Sequence, residues 1–131
     1  MAARPDAISP VNKPRRILIA DDSETVTTLL RVALEQSGYE VTTASDGQET
    51  YELGKEGFDL VILDQLMPGL LGLEIIDKWR EDGLDLKVIM LSGVDDEKTV
   101  VDSLDKGAVD YVRKPFQLTE ILARVRHRLR D

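Results

Sequence analysis

Leu60-Val61-Ile62-Leu63-Asp64-Gln65-Leu66-Met67-Pro68-Gly69 is the stretch that decides the fold. Four apolar residues in succession stop at a carboxylate, and a Pro-Gly turn signal follows. Without polar alternation, such a run reads as a strand covered on both faces, as in a parallel sheet. The same design precedes Asp21 and Asp22 (Ile17–Ala20) and Ser92 (Val88–Leu91). With Glu40–Ala44 and Asp110–Arg113 added, the expected strands are Arg16–Ala20, Glu40–Ala44, Leu60–Asp64, Lys87–Ser92 and Asp110–Arg113.

Helical patterns fill the intervals. Val26, Leu29, Leu30 and Ala33 recur at i, i+3, i+4 and i+7, and Leu118, Ile121, Leu122 and Val125 repeat that spacing. Asp46 and Glu49 have the spacing of a capping box for a second helix, and Gly38 suits the residue just past the first. A third helix is expected over Leu73–Glu81, closed by Gly83, and a fourth over Asp96–Lys106. Ile76 and Trp79 sit on the third at the spacing of packed residues. Alternating βα units of this kind imply a doubly wound parallel sheet with helices on both faces.

The chain has 131 residues, with 17 Lys and Arg against 25 Asp and Glu, a net charge of −8, one His and no Cys. No disulfide, thiolate-zinc or iron–sulfur site can form, and a lone His127 among Arg124, Arg126, Arg128 and Arg130 reads as a solvated helix end. The acidic balance speaks against direct nucleic-acid binding. No apolar run is long enough for a membrane span or signal peptide, so a cytoplasmic location is expected. Met1–Pro14, with three prolines, reads as a flexible tail (1–14) before a single domain over 15–131.

Four strands end in reactive groups: Asp21 and Asp22 after the first, Asp64 at the third, Ser92 at the fourth and Lys114 after the fifth. In open α/β sheets, ligands bind at that rim. Singly, each has an ordinary role, since Asp22 or Ser23 could cap the first helix and Asp64 could start a turn. Together they bring three carboxylates, a hydroxyl and an ammonium to one crevice. Clustered carboxylates raise each other's pKa unless a cation sits among them, and hard oxygen donors point to Mg²⁺ with a phosphoryl group as substrate. A carboxylate can be the nucleophile in such transfers, and Asp64, nearest the sheet centre, is the candidate. Pro68 and Gly69 would turn the following loop so that its carbonyls stay beside the crevice, and Ser92 would donate to a phosphoryl oxygen.

The segments Ile17-Leu18-Ile19-Ala20-Asp21-Asp22-Ser23, Leu60–Gly69, Met90-Leu91-Ser92-Gly93 and Asp110-Tyr111-Val112-Arg113-Lys114-Pro115-Phe116 resemble those of receiver domains of two-component response regulators, from about Arg16 to Leu129. The resemblance implies a flavodoxin-like fold with strand order 2-1-3-4-5. It makes Asp64 the phosphoacceptor and places a metal, Mg²⁺ with Mn²⁺ as substitute, on Asp22, Asp64 and the Leu66 carbonyl, with Asp21 acting mainly through water. Ser92 and Tyr111 correspond to the switch pair, Lys114 to the phosphate-binding lysine, and Lys114–Pro115 to a cis bond. The implied partners are a sensor histidine kinase or phosphotransfer protein, together with a homodimer through the fourth helix, fifth strand and fifth helix. Asp110, Glu120 and Arg124 match that dimer face, whereas Val100 stands where a basic residue is usual. Leu66 and Val94 occupy positions that are often polar in receivers and that influence dephosphorylation.

Two other classes fit less well. A haloacid-dehalogenase phosphatase uses Asp-x-Asp after its first strand, and Ser23 stands where the second carboxylate would be. A flavin carrier needs a Ser/Thr/Gly phosphate loop there, and Asp22 and Glu24 would repel the phosphate. A signalling domain that acts only on its own phosphorylation state, and not an enzyme with turnover, is therefore expected.

Overall fold

The structure is a computed structural model that describes residues 13–94 and 96–130; most of the expected tail lies outside the described residues. Five parallel strands, β1 (Arg16–Ala20), β2 (Glu40–Ala44), β3 (Leu60–Leu63), β4 (Val88–Ser92) and β5 (Asp110–Arg113), alternate with α1 (Glu24–Gln36), α2 (Gly47–Gly54), α3 (Gly72–Glu81), α4 (Glu97–Asp105) and α5 (Leu118–Leu129). The sheet order is β2-β1-β3-β4-β5, as expected. Ile17 faces Leu60 across β1 and β3, and Val61 faces Val88 across β3 and β4, so the apolar runs lie side by side at the sheet centre.

Period-2 alternation splits those runs between two cores. Leu18, Val61, Leu63 and Met90 pack with Ile75, Ile76 and Trp79 of α3 on one face. Ile17, Ile19, Ile62 and Ile89 pack with Leu30 and Leu34 of α1 and Ile121 and Val125 of α5 on the other. On the α2–α3 side the helices touch closely, because Gly54 presents bare backbone to the Trp79 indole. A Cβ on Gly54 would stand 2.4 Å from the ring.

Several local expectations shift. The buried stripe of α1 is Leu30 and Leu34 flanked by Val26 and Ala33, while Leu29 is 45% exposed. Positions 26, 30 and 34 progress at i+4 along one face, which leaves Leu29 on the flank. Asp46 caps α2 by accepting from the Glu49 N–H at 2.8 Å, but the Glu49 carboxylate accepts from Ser45 N–H at 3.0 Å, one residue short of a closed capping box. Asp96 and Lys106 are the caps of α4 and lie outside its helical residues. β3 ends at Leu63 and β4 starts at Val88, each a residue inside the expected limits. Backbone pairing nevertheless continues through Asp64 N–H to the Ala20 carbonyl at 2.9 Å. Gly38, at φ +97°, closes α1: its N–H donates to Glu35 and that of Tyr39 to Leu34, a pair of bonds that requires the left-handed region at the glycine.

Candidate functional site

Register alone brings the strand ends together. The Asp21 N–H bonds the Ala44 carbonyl at 3.1 Å, which places this carboxylate at the C-terminal edge between β1 and β2. Asp21 is 2% exposed, and its Oδ1 accepts from the Ser23 N–H at 2.9 Å, leaving Oδ2 to meet the Lys114 ammonium at 2.7 Å. Ser23, rather than Asp22, caps α1, by accepting from the Val26 N–H. Asp22 is thereby left exposed at the mouth of the site.

Asp64 is 5% exposed, and its Oδ2 lies 3.3 Å from the same Lys114 Nζ. Its Oδ1 accepts from the Leu66 N–H at 3.4 Å. Carboxylate oxygens of Asp21, Asp22 and Asp64 all fall within 4.8 Å of one another. Lys114 arrives from β5 with its N–H on the Ser92 carbonyl at 2.9 Å, and the Lys114–Pro115 bond is cis.

Charge does not balance here, since three carboxylates face one ammonium. Burial, and then the charge of Asp21, push the Asp64 carboxyl above its ordinary range, against the opposing pull of Lys114 and the Leu66 N–H. Burial alone would lower the Lys114 ammonium, but the hydrogen bond to Asp21 and the attraction of both carboxylates outweigh it and raise the group. The net demand is for a further cation. Oxygen-only donors, one of them on the solvent-facing Asp22, suit a hard divalent ion that keeps several waters, as Mg²⁺ does. A cleft of about 430 Å³ lined by Asp21, Asp22, Thr27, Arg31, Thr43 and Glu49 opens the site toward α1.

Ser92 adjoins the Lys114 backbone and is joined to Tyr111 through Val94. The buried Ser92 Oγ accepts from the Val94 N–H at 3.1 Å, and the Val94 carbonyl accepts from the Tyr111 hydroxyl. Leu66 is 57% exposed and Val94 half-buried. Arg124 Nη1 donates to both Asp110 oxygens at 2.9 Å, and its Nε and Nη2 pair with Glu120, while His127 is exposed. Trp79 and Ile76 are core residues. Sequence reasoning passed over Gln65, a buried polar side chain inside the loop after Asp64. The signal that could have found it is Leu71, which sits where α3 needs a cap and has no acceptor.

A flavodoxin-like sheet whose strand ends gather an acidic cluster and one lysine defines the class. The family model for the response regulator receiver domain matches residues 17–126, and the chain belongs to that family. Receiver domains of response regulators are phosphorylated by histidine kinases. The chain is 43% identical over 117 residues to the alkaline phosphatase synthesis transcriptional regulatory protein PhoP of Bacillus subtilis, covering 88% of this chain and 49% of that protein. It is also 43% identical over 116 residues to the response regulator MprA of Mycobacterium leprae, with 88% and 51% covered, so it spans about half the length of these relatives. Among solved structures, the receiver domain of the Francisella response regulator 1452 superposes with a TM-score of 0.83 at 29% identity over 88% of this chain and 96% of that one. A putative response regulator from Chloroflexus aurantiacus gives 0.82 at 34% identity, over 91% and 100%. No helix among the described residues is long and apolar enough to cross a membrane.

Proposed function

We propose that this receiver takes a phosphoryl group on Asp64 from a histidine kinase or a phosphotransfer protein, in a Mg²⁺-dependent step. The observation that carries the reading is the Lys114 ammonium shared between Asp21 and Asp64, at 2.7 and 3.3 Å, beside a carboxylate cluster in need of a second cation. Asp22, Asp64 and the Leu66 carbonyl would hold the metal, with Asp21 acting through water. When bound, Mg²⁺, or Mn²⁺ in its place, neutralises charge on the transferring oxygens.

An Asp64 oxygen attacks phosphorus, the bond to the donor's imidazole nitrogen breaks, and that nitrogen keeps the electron pair. Lys114 then moves its ammonium from Asp64 toward a phosphoryl oxygen, and the Ser92 hydroxyl donates to another. Because the Ser92 oxygen holds the Val94 N–H and the Val94 carbonyl holds the Tyr111 hydroxyl, a shift of Ser92 carries along the loop before α4 and the Tyr111 ring. The surface of α4, β5 and α5 changes as a result and binds its partner, a second copy through Asp110, Glu120 and Arg124 or an effector, with altered affinity. Residues 15–131 form the receiver unit after a tail at 1–14, and a cytoplasmic location accompanies a kinase partner. The domain acts only on its own phosphorylation state, has no membrane role and does not itself bind nucleic acid.

Intact mass spectrometry after incubation with acetyl phosphate and Mg²⁺ should show one added phosphoryl group. The addition should vanish in Asp64→Ala and in excess chelator, and labelling that persists in Asp64→Ala overturns the assignment.

A further inference from the structure

The N-terminus of α3 exposes backbone N–H groups that need acceptors, yet its cap position is Leu71, whose side chain has none. One half of a capping box survives, since the Glu74 carboxylate accepts from the Leu71 N–H at 2.8 Å. The missing acceptor comes from Gln65, eight residues before its partner: Gln65 Oε1 accepts from the Leu73 N–H at 2.9 Å, and the Gln65 carbonyl accepts from the Gly72 N–H at 2.9 Å. A Cβ on Gly72 would lie 2.6 Å from the Asp64 carbonyl oxygen, so the first turn of α3 rests directly on the backbone of Asp64. Gln65 is only 7% exposed and therefore cannot exchange this bond freely for water.

We infer that Gln65 is a positioning residue for the acidic site: by capping α3 in place of Leu71, it fixes the backbone of Leu66. The backbone of that residue has two jobs beside Asp64. Its N–H orients the Asp64 carboxylate, and its carbonyl completes the proposed metal ligand set. With both Gln65 groups bound to α3, the helix and the Asp64 loop form one rigid unit, and the direction of the Leu66 carbonyl follows from it. Loss of the side-chain acceptor frees the Gln65 backbone to rotate, and metal affinity falls because one ligand is no longer held in place.

The inference rests on the metal reading above, and calorimetric titration with Mg²⁺ at neutral pH separates the two. Gln65→Leu should bind Mg²⁺ at least about threefold more weakly than the parent, since outer-shell partners of ligands carry effects of that size or larger. Gln65→Asn, one methylene shorter, should weaken binding in the same direction and serves if Gln65→Leu does not fold. Adding Leu71→Asn, a neutral residue favoured at the cap, gives α3 its acceptor without tying the loop back to it, so the affinity should stay as low as in the single variant. Gly83→Ala, strained at φ +79° at the other end of α3, should lower the melting temperature and leave Mg²⁺ affinity unchanged. Unchanged affinity in the Gln65 variants, an equal loss in Gly83→Ala, or a double variant that regains the parent's affinity overturns the positioning role. A parent that binds no Mg²⁺ removes the metal reading and this inference together.

Discussion

α3 and α4 flank the same crevice and are held in opposite ways. α3 buries Gly72, Ile75, Ile76 and Trp79, and its first turn is bonded to the residue after Asp64. α4 buries only Ser103 among its described residues and leaves Val101 and Leu104 nearly half exposed. Its C-terminal end is tied to α3 by Lys106, bidentate on Asp77 at 2.8 and 3.0 Å, and by Arg80, which donates to the Lys106 carbonyl at 2.6 Å. Its other end follows the loop that links Ser92 to Tyr111. The half that carries Asp64 is anchored by packing, while the half that would report on it under the proposed function is held by a few polar bonds, each worth about 1 kcal/mol. A site built this way can keep its chemistry in register while its surface moves.

The most severe way to break that contrast is Trp79→Ala, which empties the α3 core and deletes the bond from the indole N–H to the Tyr51 carbonyl. A loss of about 3–5 kcal/mol is expected from urea unfolding followed by circular dichroism. Leu104→Ala on α4 should cost no more than about 0.5 kcal/mol. Comparable losses in the two variants would erase the distinction between the helices.

The next effect is kinetic. Each half contributes one apolar side chain at a position that influences dephosphorylation in receivers, Leu66 from the loop after Asp64 and Val94 from the loop after Ser92. Neither can hold a water in line behind the phosphorus. Replacing both, as Leu66→Asn/Val94→Glu, should speed decay of the phosphorylated protein about tenfold or more at saturating Mg²⁺, equivalent to ~1.4 kcal/mol of barrier. Leu66→Asn alone should supply the larger share, because the loop that carries it is already ordered. Decay as slow as the parent's in the double variant would show that these two positions do not set the lifetime.

The smallest effect concerns charge. Burial and Asp21 raise the Asp64 carboxyl, so the native state binds that proton more tightly than the unfolded chain does. This contribution to stability is complete below the unfolded value, about 3.9, and is lost as pH rises through the elevated native one. In chelator at pH 7, Asp64→Asn should therefore be more stable than the parent by on the order of 1 kcal/mol, and the advantage should fade as pH falls toward 4. Thermal melts across that range check the sign. A metal-free Asp64→Asn that melts lower at pH 7 would mean that the lost contact with Lys114 outweighs relief of repulsion.

The sequence made the anchored half legible. Unbroken apolar runs marked β1, β3 and β4, and a polar residue at the end of each marked the crevice, because strand ends in a parallel sheet must converge on one edge. Illegible were the bonds from side chain to distant backbone. Gln65 reads as a loop residue, since nothing in its neighbourhood shows that Leu73 lies within reach. The joining of Ser92 to Tyr111 through Val94 depends on the path of a loop, which has no periodicity to read. Leu29 misled because the pattern tolerates either i+3 or i+4, and only packing against the sheet chooses Leu34.

Trp79 is the only tryptophan in the chain, and it is 1% exposed. An indole so enclosed, with its N–H committed to the Tyr51 carbonyl, emits from the anchored half and from nowhere else. Intrinsic fluorescence of this protein is therefore an optical gauge of α2–α3 integrity. It should stay constant while the N-terminal end of α4 frays, and change when the half that carries Asp64 comes apart. Tyr111, whose hydroxyl bonds the Val94 carbonyl, is the chromophore to watch for the proposed switch.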